Sequence, residues 1–270
     1  MRPLGEFPLR ELNALRGVLF DIDDTLTTDG RLTAQAYEAM ERLHDGGLLV
    51  VPITGRPAGW CDHIARMWPV DGVVGENGAF YFCYDRSEHH MRRRFVDEPH
   101  ARATQRARLS AIGEEIITSV AGAAISADQP YRETDLAIDY CEDVPRLTDA
   151  AIERIVDIMR ERGLTAKVSS IHVNGWFGGY DKLAMTQTLM RECHGVDLAA
   201  ERERYAFIGD SPNDAPMFAY FAHAIGVSNV RDFGERIAHY PRYVTVGRSG
   251  DGFREAADAI LAARDRATRS

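Results

Sequence analysis

The stretch Gly17-Val18-Leu19-Phe20-Asp21-Ile22-Asp23-Asp24-Thr25-Leu26 constrains this chain more than any other, because an apolar run stops abruptly in three carboxylates and a hydroxyl. Val18 to Phe20 shows no polar alternation, as expected of a strand covered on both faces in a parallel sheet. In open sheets of that kind ligands bind just beyond the carboxyl ends of the strands, which is where Asp21 falls. Side chains two apart on a strand point the same way, so Asp21 and Asp23 can share one reaction centre while Ile22 turns into the core. Two carboxylates gathered at one point call for a cation.

Three further segments repeat the theme. Leu48 to Ile53 is followed by Thr54-Gly55-Arg56, a hydroxyl and a flexible backbone where an oxyanion could be held. Pro52 in that run is tolerated near a strand end, where its missing N–H is not needed. Tyr205 to Gly209 ends in Asp210-Ser211-Pro212-Asn213-Asp214, again carboxylates after a buried run. Asp181-Lys182 opens the helical pattern Leu183, Thr186, Leu189, Met190. Acids, a hydroxyl and one lysine thus converge, and the hard oxygen donors, with no His or Cys cluster beside them, favour Mg²⁺.

These four motifs, in this order, resemble the haloacid dehalogenase superfamily, and Thr54-Gly55-Arg56 with Gly75-Glu76-Asn77-Gly78-Ala79 resembles its Cof-type branch, subfamily IIB. The resemblance implies a doubly wound, Rossmann-like α/β core with an inserted α/β cap of the C2 type. It implies a phosphatase in which Asp21 is the nucleophile, forming an aspartyl phosphate, and Asp23 the acid and then base. Thr54, Gly55, Lys182 and Asn213 would bind phosphate. Asp21, Asp210, the main-chain carbonyl of Asp23 and, directly or through water, Asp214 would hold the metal. The commonest family form has Gly where Asp24 stands, and Asp24 is assigned no chemical role.

Strand and helix patterns alternate from Gly17 to about Val74, with Asn77-Gly78 marking a hairpin turn before Phe80-Tyr81-Phe82. Helical patterns at Pro99–Val120 and from Thr148, with strands at Leu136–Tyr140, Ala166–Ser170 and Ile171–Phe177, carry no acid-tipped ends. They read as a separate module. The cap is therefore placed at 97–177 and the core at 1–96 and 178–270, with later strands at Ala224–Val227 and Tyr243–Val246. His172, Asn174 and Trp176 are candidate leaving-group contacts, with a sheet face carrying a packed tryptophan an equal reading of all three; Arg56, a further specificity candidate, could guide phosphate or pair with an acid. His89 to Arg94 reads as a solvated edge strand.

A length of 270 residues, 45% of them apolar, suffices for two domains with ordinary cores. The net charge of −9 argues against nucleic-acid or anionic-membrane partners, so attraction of a small phosphorylated metabolite must come from local groups. Cys61, Cys83, Cys141 and Cys193 are too scattered for a zinc or redox motif. Neither a signal-like segment nor a membrane-length apolar run stands out, which makes the cytoplasm the expected compartment. Two rivals remain, a phosphomutase of the phosphomannomutase type and a phospho-aspartate switch module, and the oligomeric state is left open.

Overall fold

A computed structural model describes residues 1–268, with side chains through Arg266. In chain order it runs β1 (Arg2–Pro3), α1 (Leu9–Asn13), β2 (Gly17–Phe20), α2 (Ala34–Asp45), β3 (Leu49–Pro52), α3 (Ala58–Met67), β4 (Val73–Gly75), β5 (Phe80–Asp85) and β6 (His90–Phe95). It continues with α4 (Pro99–Ser119), β7 (Ala124–Ile125), β8 (Leu136–Asp139), α5 (Asp149–Glu161), β9 (Thr165–Val168) and β10 (His172–Trp176). The remainder is α6 (Lys182–His194), α7 (Leu198–Glu201), β11 (Tyr205–Gly209), α8 (Ala215–Tyr220), β12 (His223–Gly226), β13 (Tyr243–Val244) and α9 (Ser249–Thr268).

Six strands form one parallel sheet in the order β1-β13-β12-β11-β2-β3. Every residue of β2 is buried, because side chains on both faces meet helices. Val18 and Phe20 pack with Met40 and Leu43 of α2 and Ile260 of α9, while Leu19 packs with Leu189 of α6 and Met217 of α8. The strand order turns outward in both directions from β2 and β11, so the crevice beyond their carboxyl ends is the topological switch point where ligands bind in such sheets. Pro52 closes β3 opposite Phe20, and the next amide, Ile53, donates to the Phe20 carbonyl at 2.7 Å.

Strands β4, β5 and β6 form an antiparallel sheet, with the Asn-Gly turn between the first two and Asn77 at φ 56°. Gly78 sits at φ +105°, and a Cβ there would lie 2.0 Å from the Asp181 carbonyl oxygen. Only glycine lets this turn dock on the start of α6. The charged strand β6 lies at the sheet edge with Arg92, Arg93 and Arg94 exposed. β13 stops at Val244, two residues short of the sequence expectation, because the Val246 amide donates to Glu255 at 2.9 Å instead of to a strand.

The segment between β6 and α6 builds its own antiparallel sheet, β7-β8-β10-β9, with α4 and α5 on one face. Leu109, Ile116, Ile138, Ile155, Met159 and Val173 form its core. Val173 points into that core, so its alternate neighbours His172 and Asn174 take the other face, toward the strand ends of the parallel sheet. Among the described residues, no helix is long and apolar enough to cross a membrane.

Candidate active site

Asp21 follows β2 directly, and its amide still donates to the Ile208 carbonyl of β11 at 2.9 Å, which fixes it at the sheet edge. Lys182, the first residue of α6, reaches its carboxylate: Nζ lies 2.6 Å from Asp21 Oδ1 and 2.8 Å from Asp214 Oδ1. The helix start is held by Asp181, whose side chain accepts from the Ala184 amide at 2.8 Å. Asp214 Oδ2 in turn accepts from the amides of Asp210 (3.1 Å) and Ser211 (3.3 Å). That close fold-back needs Gly209, since a Cβ there would lie 2.6 Å from Asp214 Oδ2.

Asp210 accepts from Thr25 Oγ1 at 3.1 Å and from Asn229 Nδ2 at 3.2 Å. Asp21, Asp210 and Asp214 are all buried, and one carboxylate oxygen of each lies within 4.8 Å of the others. A single lysine cannot neutralise three acids. Burial pushes Asp21 well above the usual carboxylate range; Lys182 opposes this, while Asp214 and Asp23 add to it. Asp210 is raised too, by burial first and then by Asp21 and Asp214. A compact set of oxygen donors with excess negative charge fits a hard divalent cation.

Asp23 faces the same space from two residues further along, held by Arg56 Nε at 2.9 Å and Nη2 at 2.8 Å. Thr54 is fully buried, and its Oγ1 accepts from the Arg56 amide at 3.0 Å, which shapes the turn after β3. Arg56 also spans to the inserted segment, donating to Glu142 at 2.6 Å and lying 3.4 Å from Asp128. Arg132 of that segment donates to the Gly55 carbonyl at 2.8 Å while bound to Asp128 and Asp135. Below this seam the buried Glu76 accepts from the amides of Glu133 (2.9 Å) and Thr134 (2.6 Å).

Asp21, Asp23, Gly55, Arg56, Asn213, His172 and Asn174 line one cavity of about 10 Å³, closed over by Ser169, Ser170 and Ile171. Lys182 and Asn213 also border a second cavity of about 220 Å³. Trp176 borders only the second, 1% exposed and stacked on Tyr180 with ring centroids 5.4 Å apart. Four residues along an extended strand carry it roughly 13 Å beyond His172, so it does not join His172 and Asn174.

Asp24 adopts φ 56°, a left-handed conformation that glycine takes freely and aspartate tolerates, which accounts for both residues suiting this position. Sequence reasoning passed over Asn229, whose amide donates to the Asp24 carbonyl at 2.9 Å as well as to Asp210. It also passed over Asp128, Arg132 and Glu142. Asn229 comes three residues after the buried strand β12, where Asp210 comes directly after β11, and that placement was the available signal.

Residues 18–108 match a family model described as haloacid dehalogenase-like hydrolase. The N-terminal third of the chain is thus similar to haloacid dehalogenase-like hydrolases. A phosphoglycolate phosphatase of Pyrobaculum neutrophilum is 29% identical over 247 residues, covering 90% of this chain and 95% of that protein. Another, of Methanospirillum hungatei, is 25% identical and covers 89% and 94%. Among solved structures, protein 0175 of Thermoplasma acidophilum superposes with a TM-score of 0.68 at 19% identity, covering 92% of this chain and 98% of the other. The sucrose-phosphatase of Synechocystis gives 0.59 at 17%, with coverage of 92% and 98%. These likenesses concern the fold.

Proposed function

We propose that this chain is a phosphatase that hydrolyses small organic phosphate monoesters with Mg²⁺, through an aspartyl phosphate on Asp21. The observation that carries the reading is the pairing of Asp21 with Lys182 at 2.6 Å beside Asp23, all at the switch point of the sheet. Asp21 attacks phosphorus, the bond to the ester oxygen breaks, and Asp23 gives that oxygen a proton. Asp23 then takes a proton from water as the water displaces the Asp21 carboxylate from phosphorus. Lys182 offsets charge on the phosphoryl oxygens, aided by the Thr54 hydroxyl, the Gly55 backbone and the Asn213 side chain.

Asp21, Asp210 and the main-chain carbonyl of Asp23 would hold Mg²⁺, which supplies charge neutralisation for the phosphoryl group when bound. Asp214 has one oxygen on two amides and the other on Lys182, which suits it to a supporting place outside the direct ligands. A cavity of about 10 Å³ has room for roughly one water, so a phosphoester enters only when the inserted segment parts from the core. The names of the sequence relatives make phosphoglycolate one ester to test.

Release of inorganic phosphate from p-nitrophenyl phosphate and a panel of phosphorylated metabolites, with Mg²⁺ and after its removal by EDTA, tests the reading. Mg²⁺-dependent release that disappears in Asp21→Asn is expected. Release that survives either change would overturn it, and an isomeric phosphosugar in place of free phosphate would indicate a mutase.

A further inference from the structure

The groups that meet at the seam carry a charge balance that bears on what can leave. Arg56 is engaged by Asp23, Glu142 and Asp128, with its Nη2 2.6 Å from Glu142. Arg132 is engaged by Asp128 and Asp135 and by the Gly55 carbonyl. His172 Nε2 lies 2.9 Å from Glu142 and 3.2 Å from Ser126 Oγ. Because the Ser126 hydroxyl donates to Asp128 at 2.8 Å, its oxygen can only accept from His172, so Nε2 carries a proton and that proton faces Glu142. Asn174, on the same strand as His172, donates its amide to Asp135 at 3.0 Å.

Of the cavity's lining groups, Arg56, His172 and Asn174 are therefore each already matched to a carboxylate, and in the seam behind them Asp23, Asp128, Asp135 and Glu142 outnumber Arg56 and Arg132. Lys167 and Arg236 belong to a wider cleft on the other side of Asn213 and do not line this cavity. An entering leaving group that carries its own carboxylate meets excess negative charge and must take a guanidinium from a buried partner, leaving that partner unpaired. One that brings hydroxyl or ammonium donors finds acceptor oxygens on Glu142 and Asp23.

Building on the hydrolase reading above, we infer that the site selects by charge at the leaving group: it takes phosphoesters whose alcohol is neutral or cationic and donates hydrogen bonds, and discriminates against alcohols bearing a carboxylate. Specificity of this kind is set by repulsion as much as by attraction. Glu142 is its chief determinant, since it alone of these acids touches both Arg56 and His172. Its carboxyl is held down at about 2: burial works to raise it, and the hydrogen bonds from His172 and Arg56 outweigh that, so it stays ionised at any working pH.

The test compares kcat/KM, with Mg²⁺, for three esters of similar size: glycerol 1-phosphate (neutral), phosphoethanolamine (cationic) and phosphoglycolate (anionic), with p-nitrophenyl phosphate as the reporter of basic chemistry. The first two are expected to exceed phosphoglycolate at least tenfold. Glu142→Gln, which removes one charge and keeps the shape, is expected to narrow that gap at least threefold. Turnover of p-nitrophenyl phosphate with no preference among the three esters, or with phosphoglycolate ahead, overturns charge selection and leaves the hydrolase reading standing. Inertness toward all four esters overturns the hydrolase reading and this inference with it. Comparison of glycerol 1-phosphate with phosphoethanolamine then tells hydroxyl from ammonium recognition.

Discussion

Lys182 Nζ lies 2.6 Å from Asp21 Oδ1, a buried ion pair that involves one of three clustered acids. The same ammonium contacts Asp214 at 2.8 Å, and these two carboxylates raise its pKa against the lowering effect of burial. Lysine is here a structural counter-ion, in addition to the phosphate-binding role proposed for it.

Removing it exposes that double role. Lys182→Ala is expected to abolish turnover and, without metal, to destabilise the fold by about 3–5 kcal/mol, the usual result of leaving a buried charge unpaired. Mg²⁺ should then raise the melting temperature of the variant more than that of the wild type, because it replaces the missing charge. Equal shifts on adding Mg²⁺ would contradict this.

Asp21→Asn should separate chemistry from stability. Turnover is expected to fall at least about 10⁴-fold, since the amide is no nucleophile. Yet the metal-free variant should melt above the metal-free wild type. Its carboxyl is pushed well up by burial and by Asp214 and Asp23 despite Lys182, so the folded state strains to keep it ionised. A lower melting temperature for Asp21→Asn in EDTA would refute that account.

Much of the core was legible because its chemistry sits where buried strands end. Asp21 and Asp210 follow apolar runs, and Lys182 follows a glycine-rich turn at a helix start; all three are properties of short local stretches. The seam was not legible. Arg56 meets Asp128 and Glu142, 72 and 86 residues away in loops without periodicity, and only the packing of the inserted sheet on the core brings them together. Trp176 illustrates the other limit: alternation gave its face, but not that it borders a different cavity from His172 and Asn174.

The seam also predicts a pH dependence. Glu76 is raised to about 7, chiefly by burial and then by Asp135, against Arg132 and the hydrogen bonds from Thr134 and Glu133. A carboxyl whose folded pKa exceeds its unfolded value of 4.5 contributes stability that is fully present below pH 4.5 and lost as pH rises through about 7. Wild-type stability should thus fall relative to Glu76→Gln between pH 5 and 7, by on the order of 1 kcal/mol per pH unit at the steepest point. Melting curves of both proteins across that range decide it; a constant difference would rule out Glu76 as the titrating group.

Arg56→Lys concerns how Asp23 is aimed. The guanidinium approaches Asp23 through Nε at 2.9 Å and Nη2 at 2.8 Å, while Nη2 also serves Glu142 at 2.6 Å. An ammonium keeps the charge but offers a single point, so it cannot hold Asp23 and Glu142 in this planar fork at once. A misplacement of about 1 Å at a reacting group costs up to roughly 100-fold. Arg56→Lys is therefore expected to lower kcat/KM for p-nitrophenyl phosphate by about 10- to 100-fold and to displace the pH–rate profile, which reports the acid and base. Charge alone would predict near-normal activity with an unmoved profile, and that outcome would show that Arg56 steers the substrate rather than orienting Asp23.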